Sequence, residues 1–477
     1  MRKLSIIIIS LFFLISFAKS EKYEYIKDPS PLIQKRLEKW QDLKFGLLMH
    51  WGIYSQWGIV ESWSLAPEDY DWCKRTEGKN PENYFKYKKE YENLKKTFNP
   101  YKFNPQKWAK AAKEAGMKYV IFTTKHHDGF CMFDTKYTNY KVTDKDCPFS
   151  KNKRANITKE IFNAFRKEGF WVGAYFSKPD WHSEYYWNPY FPPFDRNVNY
   201  DPELYPELWN KFVKFTHDQI MELVTEYGKL DILWLDGGWV QKISREEIEN
   251  YYKNAFKESK SGFIKHRKVS QDIRIDELVK KVRKVQPSII IVDRAVKGKN
   301  QNYLTPENSV PDNIIPYPWE TCMPMSQSWS YVKNPKYKSA KQIIHTLIDI
   351  VSKGGNLLLN IAPSAEGEWD RQAYDNLKKI GQWIKENGEA IYGTRPFKIF
   401  GFENIRFTRK GNTIYVFYLL KREKPSQISL KNIFSPKTKF YTLKGEKLKS
   451  EIKNNEVYVK LPSNNCKYAF VFKAIQH

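Results

Sequence analysis

The chain has 477 residues, a formal net charge of +26, eight histidines and five cysteines, a length beyond one ordinary domain that suits one large barrel plus a small module. The basic residues are scattered, with local groups at 86–96, 257–268 and 280–284; without any recognisable nucleic-acid module this is a solvated basic surface, and no nucleic-acid partner is expected. The cysteines (Cys73, Cys131, Cys147, Cys322, Cys466) contain no CxxC and are odd in number, which argues against a zinc ribbon or dense disulfide framework and leaves room for one or two bridges.

At the start, Arg2 and Lys3 precede an apolar run over 4–18 and the small residues of Ala18-Lys19-Ser20. This pattern predicts a signal peptide over 1–20, a mature chain from Glu21, and an exported, soluble product. No later stretch approaches the roughly 20 apolar residues of a membrane span. Asn156-Ile157-Thr158 is a glycosylation sequon.

From Phe45 onward, short apolar runs alternate with amphipathic segments. Strands are predicted over 45–49, 119–124, 171–176, 231–235, 289–292 and 356–360. Helices are predicted from Pro105, with Trp108, Ala111, Ala112 and Ala115 at helical spacing before Gly116, then over 157–168, 203–227, 275–285, 340–351 and 371–392. Strand–helix alternation on this scale predicts a parallel α/β sheet. With no GxGxxG after a strand and no P-loop, a (β/α)8-like TIM barrel is favoured over a nucleotide-binding sheet. The charged stretch 242–284 reads as an elaborated loop and helix near the rim. After Gly393-Thr394-Arg395-Pro396 the pattern changes to short alternating runs at 405–408, 413–419, 427–430, 440–443, 456–461 and 467–472. This predicts a catalytic barrel over 21–395 and an antiparallel β-sandwich over 396–477.

The run Leu230-Asp231-Ile232-Leu233-Trp234-Leu235-Asp236-Gly237-Gly238-Trp239 ends an apolar strand on a carboxylate and two glycines. In a β/α barrel that place is the catalytic rim. The other predicted strand ends carry His50, then His126-His127-Asp128, then Tyr175, then Asp293-Arg294. Three of the eight histidines at two strand ends, beside Tyr, Trp, Asp and Arg, point to one pocket. A metal site is disfavoured: adjacent residues of extended chain point to opposite faces, and no HExxH or HxH spacing is present. Sugar chemistry fits better, because His, Tyr and Trp can bond hydroxyls and stack on a pyranose. A retaining glycosidase needs a carboxylate nucleophile and a carboxylic acid/base. Asp236 is the candidate nucleophile, and Glu307 (Thr305-Pro306-Glu307) and Glu320 (Pro318-Trp319-Glu320) both qualify by position as its partner. Glu61 and Glu68 are more distant candidates, read as solvated loop carboxylates. No cofactor or metal is expected.

Several longer motifs then carry a resemblance. These are Phe45-Gly46-x-x-Met49-His50-Trp51-Gly52, Lys125-His126-His127-Asp128-Gly129-Phe130, Trp234-x-Asp236, Ser352-Lys353-Gly354-Gly355-Asn356-Leu357-Leu358-Leu359-Asn360-Ile361 and Glu389-Ala390-Ile391-Tyr392-Gly393-Thr394-Arg395-Pro396. Together they resemble the α-L-fucosidases of glycoside hydrolase family 29, over nearly the whole mature chain. The resemblance implies a retaining exo-enzyme acting on fucosylated glycans, with Asp236 as nucleophile. It also implies that His50, His126, His127, Tyr175 and Trp234 hold the fucose, that Arg294 and Trp63 line its pocket, and that Trp329 lies under its methyl group. Thr305-Pro306-Glu307 matches the family's acid/base segment, which makes Glu307 the first choice and Glu320 the fallback. Where some relatives carry a second Glu, this chain has Asn308-Ser309-Val310. The alternatives are a fucose-binding protein on an inactive scaffold and another retaining exo-glycosidase. Cys131 reads as a packing residue.

Overall fold

The computed structural model describes residues 24–259, 267–421, 423–463 and 466–475; the expected signal segment lies outside them. Seven strands form one parallel sheet: β1 (Phe45–Met49), β2 (Tyr119–Lys125), β3 (Trp171–Ser177), β4 (Ile232–Asp236), β5 (Ile290–Asp293), β6 (Glu320–Pro324) and β7 (Asn356–Asn360). They lie in the order β5-β4-β3-β2-β1-β7-β6. Their apolar runs are buried almost throughout, as expected of a parallel sheet covered on both faces. The alternation of strand side chains separates two cores. Leu47 and Met49 pack outward in the larger core with the helices, whereas Leu48, Tyr119, Ile121, Tyr175, Trp234, Val292 and Leu358 form a second cluster.

The two sheet edges are joined by irregular chain. Asn300 and Asn302 bond to β5 (Asp293 N–H to Asn300 O, 3.0 Å; Asn302 N–H to Ile291 O, 2.9 Å). Leu304 and Asn308 then bond alongside β6 (Glu320 N–H to Leu304 O, 2.9 Å; Asn308 N–H to Cys322 O, 3.0 Å). This seam carries Glu307 to the rim. The sheet is thus of TIM-barrel type with seven regular strands. The missing prediction is β6, whose Glu-Thr-Cys-Met-Pro sequence has no branched apolar run to announce a strand.

Nine helices are described: α1 (Pro31–Leu43), α2 (Tyr84–Asn93), α3 (Pro105–Glu114), α4 (Ile157–Lys167), α5 (Pro206–Glu226), α6 (Arg245–Glu258), α7 (Ile275–Val285), α8 (Ala340–Ser352) and α9 (Arg371–Asn387). α3 starts as its sequence requires, with Pro105 in the first turn and the Asn104 side chain accepting from Lys107 N–H. α1, which was not anticipated, joins the interior cluster at the end opposite the rim. There Trp40 stacks on Tyr303 at 4.0 Å, and its carbonyl accepts from Asn356 Nδ2.

Beyond α9 the chain forms β8 (Arg395–Phe402), β9 (Ile405–Lys410), β10 (Thr413–Leu419), β11 (Gln427–Ser429), β12 (Lys439–Thr442), β13 (Ser450–Lys453), β14 (Glu456–Lys460) and β15 (Ala469–Ile475). They make a five-stranded sheet, β12-β15-β10-β9-β8, and a three-stranded sheet, β11-β14-β13. Phe407, Val416, Phe440, Val459 and Phe472 pack between them. The unit is fastened to α8 by Arg406 on Asp349 and by His345 Nε2 2.8 Å from Tyr468 O. None of its described residues lines the cavity at the C-terminal ends of the strands. All five cysteines are unpaired, so the bridges the count allowed do not form. No helix among the described residues is long and apolar enough to cross a membrane.

Candidate active site

A cavity of about 620 Å³ opens at the C-terminal ends of the strands. Ten residues picked from the sequence line it: His50, Trp63, His126, His127, Tyr175, Trp234, Asp236, Arg294, Glu307 and Trp329. Asp236, the last residue of β4, is held by two donors. Tyr175 Oη donates to Oδ2 at 2.7 Å and Arg294 Nη1 to Oδ1 at 2.9 Å. Burial on its own would raise this carboxyl, but the Arg294 charge and the hydrogen bonds from Tyr175 and the Gly237 N–H overcome it and hold Asp236 well below the usual carboxylate range. Gly237 is required by the turn, with φ +87° and Pro179 Cδ 2.3 Å from where a Cβ would stand.

Arg294 also donates through Nη2 to Glu307, so one guanidinium sits between the two carboxylates. Glu307 accepts a second bond from Trp329 Nε1 at 3.2 Å, and 42% of its side chain remains exposed. The shared guanidinium therefore holds both carboxylates at one cation on the cavity wall.

The histidines are neutral near pH 7. Burial lowers His50 to about 4 and His127 to about 3, and takes His126 well below its ordinary value. Each presents a fixed ring. His50 Nδ1 is 3.0 Å from Asn360 Oδ1, which also accepts the His50 backbone N–H, so Nδ1 carries the proton. His127 Nδ1 lies 2.6 Å from Ser177 Oγ, whose own hydroxyl donates to Pro179 O. His127 Nε2 is therefore a bare acceptor, 3.9 Å from Asp236 Oδ2. Two acceptors facing each other call for a donor between them, as a sugar hydroxyl supplies.

His126 and His127 were expected on opposite faces, yet both line the cavity with ring centroids 4.1 Å apart. The reason is that β2 ends at Lys125 and the pair lies in a turn closed by Gly129 N–H on His126 O. Even so, no group of three or more His, Cys, Asp or Glu able to hold a metal occurs among the described residues.

Glu320, the fallback acid/base, does not line the cavity. It opens β6 opposite Asn356, at the other end of the barrel, where Tyr119 Oη donates to it at 2.6 Å. Position alone misled here, because the Trp319-Glu320 strand start resembled a rim loop while β6 itself was unseen. Glu61, read as a solvated loop carboxylate, is instead 2% exposed and lines the cavity. Burial pushes its carboxyl up to about 8, opposed by hydrogen bonds involving Ser330 and reinforced by Glu307 and Asp236. Glu68 is bound to the Arg196 guanidinium outside the cavity. Arg196, Trp72 and Trp239 also line the cavity and were not foreseen. Trp239 stood in the strand-end run without a role, and Arg196 lies in an irregular loop that carries no periodic signal.

A family model described as alpha-L-fucosidase matches residues 12–389. The chain belongs to the α-L-fucosidase family. Among its relatives, a putative alpha-L-fucosidase of Caenorhabditis elegans is 26% identical over 402 residues, covering 82% of this chain and 73% of the relative. Human plasma alpha-L-fucosidase is 27% identical over 382 residues, covering 76% and 71%. Among solved structures, alpha-L-fucosidase isoenzyme 1 from Paenibacillus thiaminolyticus is similar with a TM-score of 0.72 and 28% identity, covering 93% of this chain and 99% of that one. A Thermotoga maritima alpha-fucosidase in complex with a mechanism-based inhibitor has a TM-score of 0.71 and 27% identity, covering 95% and 100%. Membership of this family makes the chain a glycoside hydrolase and disfavours a pure binding protein.

Proposed function

We propose that the chain removes terminal α-L-fucose from glycans with retention, using Asp236 as nucleophile and Glu307 as acid/base. The observation that carries this is the Arg294 guanidinium held between the two carboxylates in a cavity walled by neutral histidines and aromatic rings. Asp236 attacks the anomeric carbon and the glycosidic C–O bond breaks, while Glu307 gives its proton to the departing oxygen. Glu307 then takes a proton from water, and that water's oxygen displaces Asp236 from the glycosyl ester. Tyr175 and Arg294 keep Asp236 anionic for the attack, His50 and His127 accept from hydroxyls, and His126, Trp63, Trp234 and Trp329 shape the cavity. Residues 21–395 carry the chemistry and 396–477 serve as a packing unit. The N-terminal charge and apolar pattern supports export.

Replacing Asp236 by Gly should abolish turnover of an aryl α-L-fucoside, with partial return on adding azide. Near-normal turnover by that variant would refute the assignment. A panel of aryl glycosides separates fucose from other terminal sugars.

A further inference from the structure

A second cavity of about 320 Å³ adjoins the catalytic one and shares Arg196 and Trp239 with it. The dividing wall is one layer of side chains. The Arg196 guanidinium lies over Trp63 (4.6 Å) and Trp239 (5.2 Å), clamped by Glu68 through Nε–Oε1 at 2.8 Å. Trp239 is fixed by its Nε1 donating to Tyr186 Oη at 3.1 Å and by edge contact with His127 at 5.1 Å. A stacked pair links the two spaces again, since Tyr70 lines the second cavity and Trp72 the first, with rings 4.5 Å apart and 6° from parallel.

Leu48, Trp234 and Cys322, all buried in the barrel-interior core, close the inner end of the catalytic cavity. Whatever is linked to a sugar bound there must leave by the mouth, which the Trp239–Arg196 wall borders. The second cavity has the makings of a saccharide site: the rings of Tyr70, Trp239 and Tyr251, with the amides of Asn197 and Gln241. Its charge is unbalanced. Among the described residues, Arg196, Arg267 and Lys268 line it against Glu68 alone. Glu68 is committed to Arg196, and Asp195, outside the lining, to Arg267. Lys268 has no carboxylate in ion-pair contact among the described residues; Glu247, which feels its charge, is bonded to Ser244 in a helix cap. Lys268 Nζ lies 6.0 Å from the Tyr251 ring centroid.

Resting on the fucosidase reading, we infer that this second cavity is an aglycone subsite that selects glycans carrying an anionic group, a sulfate ester or a carboxylate, on the sugar next to fucose, with Lys268 as its specificity-determining cation. A neutral sugar would stack on the rings, and an anion beside it would meet the unpaired ammonium.

The test compares kcat/KM on three substrates with matched linkage, a neutral fucosyl disaccharide and its sulfated and carboxylated counterparts, alongside an aryl α-L-fucoside. One solvent-screened ion pair predicts about a three- to fivefold preference for an anionic substrate, falling as salt is raised. Lys268→Ala should bring the ratio to about one while leaving the aryl fucoside unchanged. Preference for only one anion identifies the source of the charge and supports the subsite. Equal rates on neutral and anionic substrates, or a preference that survives Lys268→Ala, would overturn it. If wild type leaves the aryl fucoside intact, the fucosidase reading is what fails. Calorimetric binding of the anionic disaccharide to wild type and to Lys268→Ala then still decides the subsite.

Discussion

Replacing Arg294 by Met removes the cation at Asp236 while leaving an unbranched side chain in its place. Two unit charges about 4 Å apart interact by about 4 kcal/mol at an effective dielectric of 20, equivalent to about 3 units of carboxyl pKa. The 2.9 Å Nη1–Oδ1 contact puts Arg294 and Asp236 in this regime. Without the guanidinium, burial raises the Asp236 carboxyl, opposed by His127, the Tyr175 hydroxyl and the Gly237 N–H. The sign follows: the Asp236 carboxyl is depressed in the wild type, so its acid limb in kcat/KM falls below about pH 4. In the variant that limb moves upward by about 2–3 units and enters the measurable range. The assay is a pH–rate profile on an aryl α-L-fucoside, where the need for leaving-group protonation is small. Tyr175→Phe serves as an internal scale, since it removes one hydrogen bond to a charged group, about 1.5–3 kcal/mol, and should shift the limb less. An Arg294→Met profile that superimposes on wild type down to about pH 4 would refute the claim that this guanidinium keeps the nucleophile ionised.

Further predictions concern the other carboxyls and one glycine. Glu307→Ala should lose about 10²–10⁴-fold on substrates with poor leaving groups and far less on activated aryl fucosides; Glu61→Gln, which replaces an already protonated carboxyl by a neutral isostere, should stay within about fivefold of wild type near pH 6. Glu320 is raised to about 8, chiefly by burial. A raised carboxyl gives stability that is complete below its unfolded value and lost as pH climbs through about 8, so wild-type stability should fall between about pH 5 and 8 with a slope near 1.4 kcal/mol per pH unit from this group. Glu320→Gln should remove that share of the slope in denaturant titrations, and an unchanged slope would count against the buried proton. Gly129 has φ +78°, and a Cβ there would stand 2.2 Å from Asp180 Oδ1, which belongs to the buried Lys125–Asp180 pair. Gly129→Ala should therefore cost about 1–3 kcal/mol in chemical denaturation.

What the sequence makes legible depends on how locally each feature is encoded. The apolar runs of β1, β4 and β7 show through because both faces of a parallel sheet are buried, so the whole segment must be apolar. Residues at strand ends are then placed by the strand itself, which is why His50 after β1, Tyr175 near the end of β3 and Asp236 at the end of β4 group together in the sequence. β6 escaped because its burial comes from neighbours on the 300–308 seam and not from its own composition. The pairing of His126 with His127 escaped because alternation holds only while the chain is extended, and here it turns one residue earlier. Glu61 escaped because the contact that holds its loop in the wall is non-local: the Glu61 backbone N–H donates to Ser330 Oγ, 269 residues away, at 3.0 Å.

The cavity holds three carboxyls and one contacting guanidinium, and this imbalance sorts their roles. Asp236 takes Arg294, a tyrosine hydroxyl and a turn N–H, so it is the anion. Glu61 is so deeply buried that it keeps its proton to about pH 8, and its Oε1 has no hydrogen-bond partner. An acid/base has a harder assignment than holding a proton, because in each turnover it must lose the proton to the leaving group and regain one from water. That cycle needs contact with solvent. Glu307, with 42% of its side chain exposed on the rim, has it, whereas Glu61 at 2% does not. Proton retention alone would favour Glu61; the need to reload favours Glu307, and Arg294 holds Glu307 next to Asp236 without removing it from water.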